Sequence, residues 1–335
     1  MNTHNKISIS GTGVALPDKE ITSSYIDLQQ GYRKNYTEDK TGVATRFYAS
    51  TESASDLAIM AINNALKVSK LTLDDIDCII SGSGTMEQSI PCNAARVHAR
   101  LHPPRPIPAF DINMTCLSTL MAMDIAVPML LSKKHKHILI FSSDIASVGV
   151  DWEDIKTGGL FGDGAAAIIL SSADHSQSNN CPRVLTSKFE TYSEGVDYCE
   201  IKGGGSLHHP SKVNGDYRPF GKFQMKGPEI YKLAAKNLED FIKRTLDDVG
   251  LKLDDIDWVV PHQASQLALV HLQKRLKLPQ NKVINIIKNH GNQVATSIPT
   301  AFHTLLQKKE LKKGDKILFV GTSAGVSLGA ALWEW

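Results

Sequence analysis

The chain has 335 residues, of which 42% are apolar and 21% are charged, and its formal net charge is +2. A length above the ~100–150 residues of a typical domain predicts one large domain or two fused ones. A net charge near zero argues against an overall field that attracts nucleic acid. No apolar stretch approaches the ~20 residues of a membrane helix.

The first half of the chain predicts alternating strands and helices. We expect an opening strand over residues 6–14 and a helix over 54–68. A second helix is predicted over 117–131, and Pro128 is expected to kink or shorten it. An apolar strand follows over 136–141.

The second half predicts the same order of elements. A strand over 183–191 is followed by helices over 228–249 and 296–306, and a last apolar strand begins at 315. Residues 203–221 are rich in Gly, Ser, His and Pro, which is typical of an inserted loop.

Two ten-residue segments indicate that the chain is duplicated. LTLDDIDCII at 71–80 and LKLDDIDWVV at 251–260 share six identical positions, and each follows a predicted helix and ends as a buried strand. We therefore predict an α/β fold with mainly parallel sheets. Its two halves cover residues 1–178 and 179–335 and join near 174–180.

The N-terminus and the cysteines bear on location. Residues 1–6 have no long apolar core or small-residue cleavage pattern, so we expect no signal peptide. The five cysteines are an odd number and form no CxxC pair. This pattern argues against a disulfide framework or a zinc site and favours a reducing cytoplasm.

Three residues at loop-to-helix junctions are candidates for chemistry. Cys116 lies where an apolar strand gives way to a helix, whose partial positive charge would stabilise a thiolate. A buried apolar cysteine is the alternative. His262 follows the carboxyl end of a strand, where α/β proteins collect ligands, although a surface histidine fits as well. Asn292 is either a turn and helix cap or an amide donor aimed at developing negative charge.

The duplication strengthens the case for these three residues. The interface between two similar halves is a natural pocket, and the loop holding Cys116 corresponds to the loop holding Asn292. One nucleophile and two donors suit thioester chemistry.

Three further features have weaker interpretations. The FGDGA segment at 161–165 indicates a tight turn into a strand and not a phosphate loop, because no GxxxxGK[ST] is present. Small residues over 322–329 allow either close approach to a ligand or a plain bend. The basic runs are solvated loops or a docking surface for an acidic partner or a nucleotide phosphate; they are residues 133–136, 274–275, 308–309 and 312–313.

Several motifs together carry a resemblance to a known family. They are DWVVPHQA (257–264), HGN (290–292) with SIP (297–299), FGDGA, the segment around Cys116, and TGV (41–43) with Arg46. From about residue 6 to residue 335, the sequence resembles the β-ketoacyl-acyl-carrier-protein synthase III family.

The resemblance implies the thiolase fold, in which duplicated βαβαβαββ halves form a five-layer αβαβα sandwich, and it implies a homodimer. Cys116 would be the acyl-accepting nucleophile, and His262 and Asn292 would complete the triad. The backbone N–H groups of Cys116 and Ala324 would form the oxyanion hole. Ile90 matches a position that reaches across the dimer to line the acyl pocket.

The sequence departs from the family at several substrate positions. A run of three glycines is here Ser323-Ala324-Gly325. Ile155 replaces an arginine that grips the coenzyme A nucleotide, with Lys156 beside it, and Tyr36 replaces a stacking Trp. We expect substrate to be bound by Tyr36, Arg46, Ile90 and Lys156.

The carrier-docking surface also departs from the family pattern. Ser265 and Leu267 stand where relatives carry Asn and a docking Arg, so Lys274 and Arg275 are expected to serve instead. These changes indicate a specialised relative of the fatty-acid initiator.

The resemblance implies a reaction in two steps. Cys116 takes an acyl group from acyl-CoA, and a malonyl thioester on acyl carrier protein or coenzyme A then loses carbon dioxide and condenses with it. The expected partners are these thioesters and a second copy of the chain, without nucleic acid, membrane, metal or redox cofactor. The sequence does not determine acyl chain length, the carrier of the second substrate or the pathway.

Four alternatives remain open at this point. The same acyl-enzyme could transfer to an oxygen or nitrogen nucleophile, or condense two acyl chains head to head with Glu87 or Glu200 as an extra base. A cysteine protease also uses Cys, His and Asn. The fourth alternative is a catalytically silent binding subunit of a synthase pair.

Overall fold

The computed structural model describes residues 7–175, 181–308 and 310–335. The predicted start of the first strand at Lys6, the predicted boundary between residues 178 and 179, and Lys309 of one basic run lie outside the described residues.

The described residues before the gap at 176–180 form seven strands and six helices. In chain order they are β1 (Ile7–Ala15), β2 (Lys19–Thr22), α1 (Ser23–Gln30), α2 (Tyr36–Thr41), β3 (Thr45–Tyr48), α3 (Ala54–Ser69), β4 (Cys78–Ser81), α4 (Asn93–Leu101), β5 (Ala109–Asp111), α5 (Ser118–Leu131), β6 (His137–Asp144), α6 (Ile155–Gly158) and β7 (Gly164–Ser172).

The described residues after that gap form six strands and four helices. They are β8 (Arg183–Thr191), β9 (Cys199–Glu200), β10 (Gln224–Met225), α7 (Gly227–Asp247), β11 (Trp258–Pro261), α8 (Gln266–Arg275), α9 (Ile287–His290), α10 (Ser297–Lys308), β12 (Lys316–Ser323) and β13 (Ser327–Glu334).

The two main sheets have the same strand order. The first runs β1-β7-β6-β4-β5 and the second runs β8-β13-β12-β11, so each strand of the second sheet has a counterpart in the first. The duplicated segments end in β4 and β11, and each of these strands pairs in parallel with the strand that follows the next long helix. The duplication predicted from the sequence is therefore present in the topology.

The prediction of mainly parallel sheets is wrong. In the first sheet β1–β7 and β6–β7 are antiparallel, and in the second β12–β13 and β13–β8 are antiparallel. Each half ends with a strand that turns back beside its predecessor. β12 and β13 are joined by residues 324–326 alone, and so short a connection permits only antiparallel pairing.

Five layers of secondary structure stack in this fold. Helices α5 and α10 lie between the two sheets, and their apolar residues share one core cluster with strands of both. α3 packs on the outer face of the first sheet and α7 on the outer face of the second. This is the five-layer αβαβα sandwich of the thiolase fold, as predicted.

The predicted helices are confirmed within a few residues. α3 begins at Ala54 because Ser53 and Asp56 form a capping box. α5 continues to Leu131 with Pro128 inside it, so the proline does not shorten the helix. Residues 203–221 form only turns and short 3₁₀ segments, as expected for an inserted loop. Among the helices of the described residues, none is long and apolar enough to cross a membrane.

Candidate active site

Cys116 lies in a tight turn at the entrance to α5. The 3₁₀ turn Thr115–Leu117 follows β5 and places Cys116 two residues before the first residue of α5. Thr115 adopts a φ of 48°, which is unusual for a β-branched residue. The Met114 N–H donates to Ser118 Oγ at 2.8 Å, and the Thr115 N–H donates to Asn113 Oδ1 at 2.9 Å. These side-chain bonds fix the turn that presents the thiol.

The same turn occurs in the second half, at Val294–Thr296. Val294 has a φ of 52°. The Gln293 N–H donates to Ser297 Oγ at 3.0 Å, and the Val294 N–H donates to Asn292 Oδ1 at 2.9 Å. Asn292 is therefore the counterpart of Asn113, and Cys116 has Ala295 as its counterpart. The predicted correspondence of the two loops is confirmed, and the structure gives it this residue-by-residue register.

His262 follows the carboxyl end of β11 and is 5% exposed. The backbone N–H of His262 donates to Val320 O on β12 at 2.8 Å. A Cβ at Gly321 would lie 2.7 Å from His262 Cβ and 3.0 Å from Leu117 Cδ2. His262 and the turn of Cys116 therefore flank the same glycine, because only a residue without a side chain leaves room for both.

Burial determines the charge of His262. Its surroundings lower the pKa of the imidazole to about 4, and within the described residues Nδ1 has no hydrogen-bond partner. The ring is therefore neutral at pH 7 and carries one N–H that can donate.

Asn292 is held from both sides and is 6% exposed. Its backbone N–H donates to Leu160 O at 2.9 Å, and its carbonyl accepts from the Gly162 N–H at 3.1 Å. The amide Nδ2 donates to Ala264 O at 3.2 Å, which uses one of its two hydrogens. Since Ala264 is two residues after His262, this bond joins the histidine loop to the asparagine turn.

The two turns also meet directly. The turn Val294–Thr296 packs on the turn Thr115–Leu117, which in turn packs on β12. The hydroxyl of Thr119 on α5 lies 3.0 Å from Ala295 O. The structure thus brings together the loops of Cys116, His262 and Asn292 at the interface of the halves.

The predicted stabilisation of a Cys116 thiolate is wrong for the resting protein. Burial raises the pKa of the Cys116 thiol well above its ordinary value, and the nearby Cys199 and Asp144 raise it further. The start of a helix favours a thiolate by a smaller amount than desolvation disfavours it. The resting nucleophile is therefore a thiol.

Ala324 lies in the short connection between β12 and β13. Thr115 Oγ1 is 3.5 Å from Ala324 O, so this connection runs beside the turn of Cys116. The assignment of the Cys116 and Ala324 N–H groups to an oxyanion hole stays a prediction.

The assignment of Arg46 to substrate is wrong. The residue is 0% exposed, and burial lowers the pKa of its guanidinium to about 10. One nitrogen donates to Gly159 O at 2.7 Å and lies 3.0 Å from Ser23 Oγ, and another donates to Ile21 O at 3.3 Å. Arg46 therefore fastens β3 to β2, to the start of α1 and to the residue after α6, and has no surface for a ligand.

The other predicted substrate residues lie at the surface. Tyr36 is half-buried, with Arg33 and Lys40 each 5.6 Å from its ring centre. Lys156 is exposed on α6, and Ile90 is 84% exposed. Their roles stay predictions.

The predicted carrier-docking residues end α8. Lys274 is exposed, and Arg275 Nε lies 3.1 Å from Glu239 on α7. Lys274 is therefore the less constrained cation of the two, and docking by either stays a prediction.

Glu87 is poorly suited to act as an extra base. Burial alone would raise the pKa of its carboxyl, yet Arg96 at 2.7 Å and Ser55 hold the pKa below its ordinary value. Glu200 has Lys202 at 3.7 Å and follows Cys199 in β9.

Sequence reasoning missed Asp144 and Thr296. Asp144 is fully buried at the carboxyl end of β6, and its carboxylate bonds to Thr296 in the turn after Asn292. A charged residue three positions after the predicted strand over 136–141 was the signal available in the sequence, because such strand ends collect functional groups.

Comparisons with known proteins match most of the chain. Two family models match: "3-Oxoacyl-[acyl-carrier-protein (ACP)] synthase III" over residues 110–198 and its C-terminal counterpart over residues 246–335. The beta-ketoacyl-[acyl-carrier-protein] synthase III of a Wolbachia species from Brugia malayi is 34% identical over 99% of this chain and 100% of its own. That of Vesicomyosocius okutanii is 31% identical over 98% of both chains.

Solved structures agree in fold. The 3-oxoacyl-[acyl-carrier-protein] synthase III of Aquifex aeolicus has a TM-score of 0.85 and 29% identity, and the match covers 98% of this chain and 100% of that one. OleA from Xanthomonas campestris has a TM-score of 0.84 over 99% of both chains at 20% identity, a likeness in fold alone.

Proposed function

The chain belongs to the 3-oxoacyl-[acyl-carrier-protein] synthase III family, and we propose that it condenses an acyl thioester with a malonyl thioester through an acyl group on Cys116. The observation that carries the assignment of residues is the meeting of a buried neutral His262, the Asn292 amide and the Cys116 turn.

In the first step the Cys116 sulfur attacks the carbonyl carbon of the acyl thioester. Since the resting thiol is protonated, its proton passes to the departing thiolate as the old C–S bond breaks, and His262 keeps the N–H that it donates in the second step. The backbone N–H groups of Cys116 and Ala324 would stabilise the tetrahedral oxyanion, an effect of about 100–1,000-fold per donor. The proton leaves on the departing thiol, and acyl-Cys116 remains.

In the second step a malonyl thioester loses carbon dioxide. The electron pair of the broken C–C bond forms an enolate, and His262 and Asn292 donate hydrogen bonds to its oxygen. A neutral imidazole and an amide can donate without a buried charge having to be offset. The enolate carbon then attacks the acyl carbon, the bond from that carbon to the Cys116 sulfur breaks, and a β-ketoacyl thioester forms while the Cys116 thiolate takes up a proton from water. The scheme balances without a redox change, so we propose that no redox cofactor or metal takes part.

We propose acyl-CoA as the donor, and malonyl on acyl carrier protein or coenzyme A as the second substrate. The names of the relatives include acyl carrier protein, which supports a carrier-bound substrate. Lys274 and Arg275 are proposed to dock the carrier, and Tyr36 and Lys156 to contact the donor.

We also propose a homodimer in the cytoplasm. β5 is an edge strand whose residues are only half-buried, and Ile90 and Met86 nearby are 84% and 58% exposed. An open edge beside exposed apolar side chains suits pairing with a second copy. Ile90 would then line the partner's acyl pocket. An odd number of cysteines without a CxxC pair suits a reducing compartment.

Intact-protein mass spectrometry with a panel of acyl-CoAs tests the proposal, with Cys116→Ala beside wild type. We expect an acyl-sized mass gain in wild type only, then loss of that mass and release of carbon dioxide when malonyl thioester is added. If the acyl group leaves without release of carbon dioxide, the reaction is transfer to an oxygen or nitrogen nucleophile and not condensation. No mass gain from any acyl-CoA or acyl-carrier donor would support the silent-subunit alternative.

A further inference from the structure

Asp144 is a fully buried carboxylate with a donor on every side. Oδ1 accepts from the N–H groups of Gly84 and Thr85 at 2.9 and 2.8 Å, and from the Thr85 hydroxyl at 2.8 Å. Oδ2 accepts from the Ser142 hydroxyl at 2.9 Å and from the Thr296 N–H at 3.1 Å, and the Thr296 hydroxyl is 3.0 Å away. Burial raises the pKa of the Asp144 carboxyl, and these hydrogen bonds oppose that rise and satisfy both oxygens.

The two oxygens of Asp144 serve different parts of the molecule. Oδ1 holds the loop after β4, in the half that carries Cys116. Oδ2 reaches into the other half and holds Thr296, the last residue of the turn that follows Asn292. The Thr119 hydroxyl adds a second link to this turn, at Ala295 O. Asp144 thus joins the nucleophile's half to the asparagine turn.

A neutral amide could not replace this carboxylate. An asparagine at this position would keep its oxygen opposite the two N–H groups at Oδ1 and turn its NH₂ toward the Thr296 N–H. Two donors would then face each other in a buried site, which is costly. The link to the asparagine turn would be the one that breaks.

The Asp144 carboxylate also disfavours ionisation of the Cys116 thiol. Its negative charge contributes to the raised pKa of the Cys116 thiol, so it disfavours the thiolate needed in the first step. Asn292 is proposed to act only in the second step, so a group that holds the turn after Asn292 bears on that step.

We propose that Asp144 is a positioning residue for the condensation step, holding the Asn292 turn at the distance from Cys116 that enolate formation requires. The inference rests on the proposed function. Asp144 does not contact substrate in this proposal and acts on the site through Thr296.

The test measures the two half-reactions separately in Asp144→Asn. Acylation of Cys116 by acyl-CoA is followed by mass spectrometry, and carbon dioxide release from malonyl thioester is followed on the pre-acylated protein. We expect condensation to fall by about 100-fold, since a misplacement near 1 Å can cost that much. Acylation is not expected to slow, because removal of the charge favours the thiolate.

Variants at Thr296 decide the case if Asp144→Asn does not fold. Thr296→Val keeps the shape of the side chain and removes the hydroxyl, so condensation should fall, while Thr296→Ser should restore it. Thr300→Val is the matched control, because Thr300 is a buried threonine in α10 whose hydroxyl has no partner among the described residues. It should leave both half-reactions unchanged.

Equal slowing of both half-reactions in Asp144→Asn or Thr296→Val would overturn the proposal, and so would unchanged condensation. Failure of wild type in either half-reaction would instead refute the proposed function, so the two failures are distinguishable.

Discussion

Gly321→Ala should disable condensation by moving His262. The new Cβ would lie 2.7 Å from His262 Cβ, and ordinary contact begins near 3.4 Å, so the two must separate by about 0.7 Å. Catalytic groups need placement within about 0.5 Å, and a 1 Å error can cost about 100-fold. We therefore expect a 10- to 100-fold loss in condensation, together with a loss of about 1–3 kcal/mol in unfolding free energy.

Gly329→Ala is the matched control for this variant. Gly329 pairs with Gly321 across the sheet, and its new Cβ would meet Phe189 at 2.8 Å and Leu117 at 3.0 Å, but not His262. Its stability should fall by a similar amount while condensation stays closer to wild type. The assay is carbon dioxide release from malonyl thioester on acylated protein, with thermal unfolding measured alongside. If Gly321→Ala condensed as fast as Gly329→Ala, the position assigned to His262 or its role would be wrong.

Three further predictions follow from charge and burial. The pKa of His262 is about 4 in the folded protein and 6.5 in the unfolded chain, so between these pH values only the unfolded chain binds the proton. The contribution of His262 to the free energy of unfolding is therefore complete above pH 6.5 and falls by about 3 kcal/mol toward pH 4. Denaturant unfolding at several pH values should show a shallower decline in His262→Asn, and an equal decline would contradict this account. Cys116 is a partly buried thiol whose pKa is raised, so it should react with iodoacetamide at pH 7.5 about tenfold more slowly than glutathione and faster as pH rises. Peptide mapping checks this, and a rate equal to glutathione would indicate an exposed thiolate. Arg46→Met should lose about 3 kcal/mol of unfolding free energy and leave KM for acyl-CoA within about twofold. A raised KM at unchanged stability would restore a substrate role.

The sequence located the catalytic candidates because their signals are local. Cys116 and His262 each follow an apolar strand, and Asn292 lies in a Gly-Asn turn before a helix. Strand and helix periods are visible within some ten residues, and the repeated segments placed two of these loops at one interface. The strand order of the two sheets agrees with the predicted duplication, because equivalent local patterns formed equivalent strands.

Arg46 shows where local reasoning stopped. The residue lies in a motif shared with the family, but its burial depends on residues that are distant in the chain. One of them is Gly159, 113 positions later, whose carbonyl accepts a hydrogen bond from the guanidinium. Burial of a charged side chain depends on what packs over it, and a local pattern does not contain that information.

By itself the sequence determined the duplicated α/β architecture, the extents of the main helices and the three candidate catalytic residues. Only the tertiary structure decided that the sheets are mixed, that the Cys116 thiol is protonated at rest and that Asp144 joins the halves beside Asn292. The physical reason is that hydrophobic periodicity is a property of neighbouring residues. Strand direction depends on how the chain connects two strands, whereas desolvation and buried hydrogen bonds arise from groups that lie far apart in the chain, such as Asp144 and Thr296.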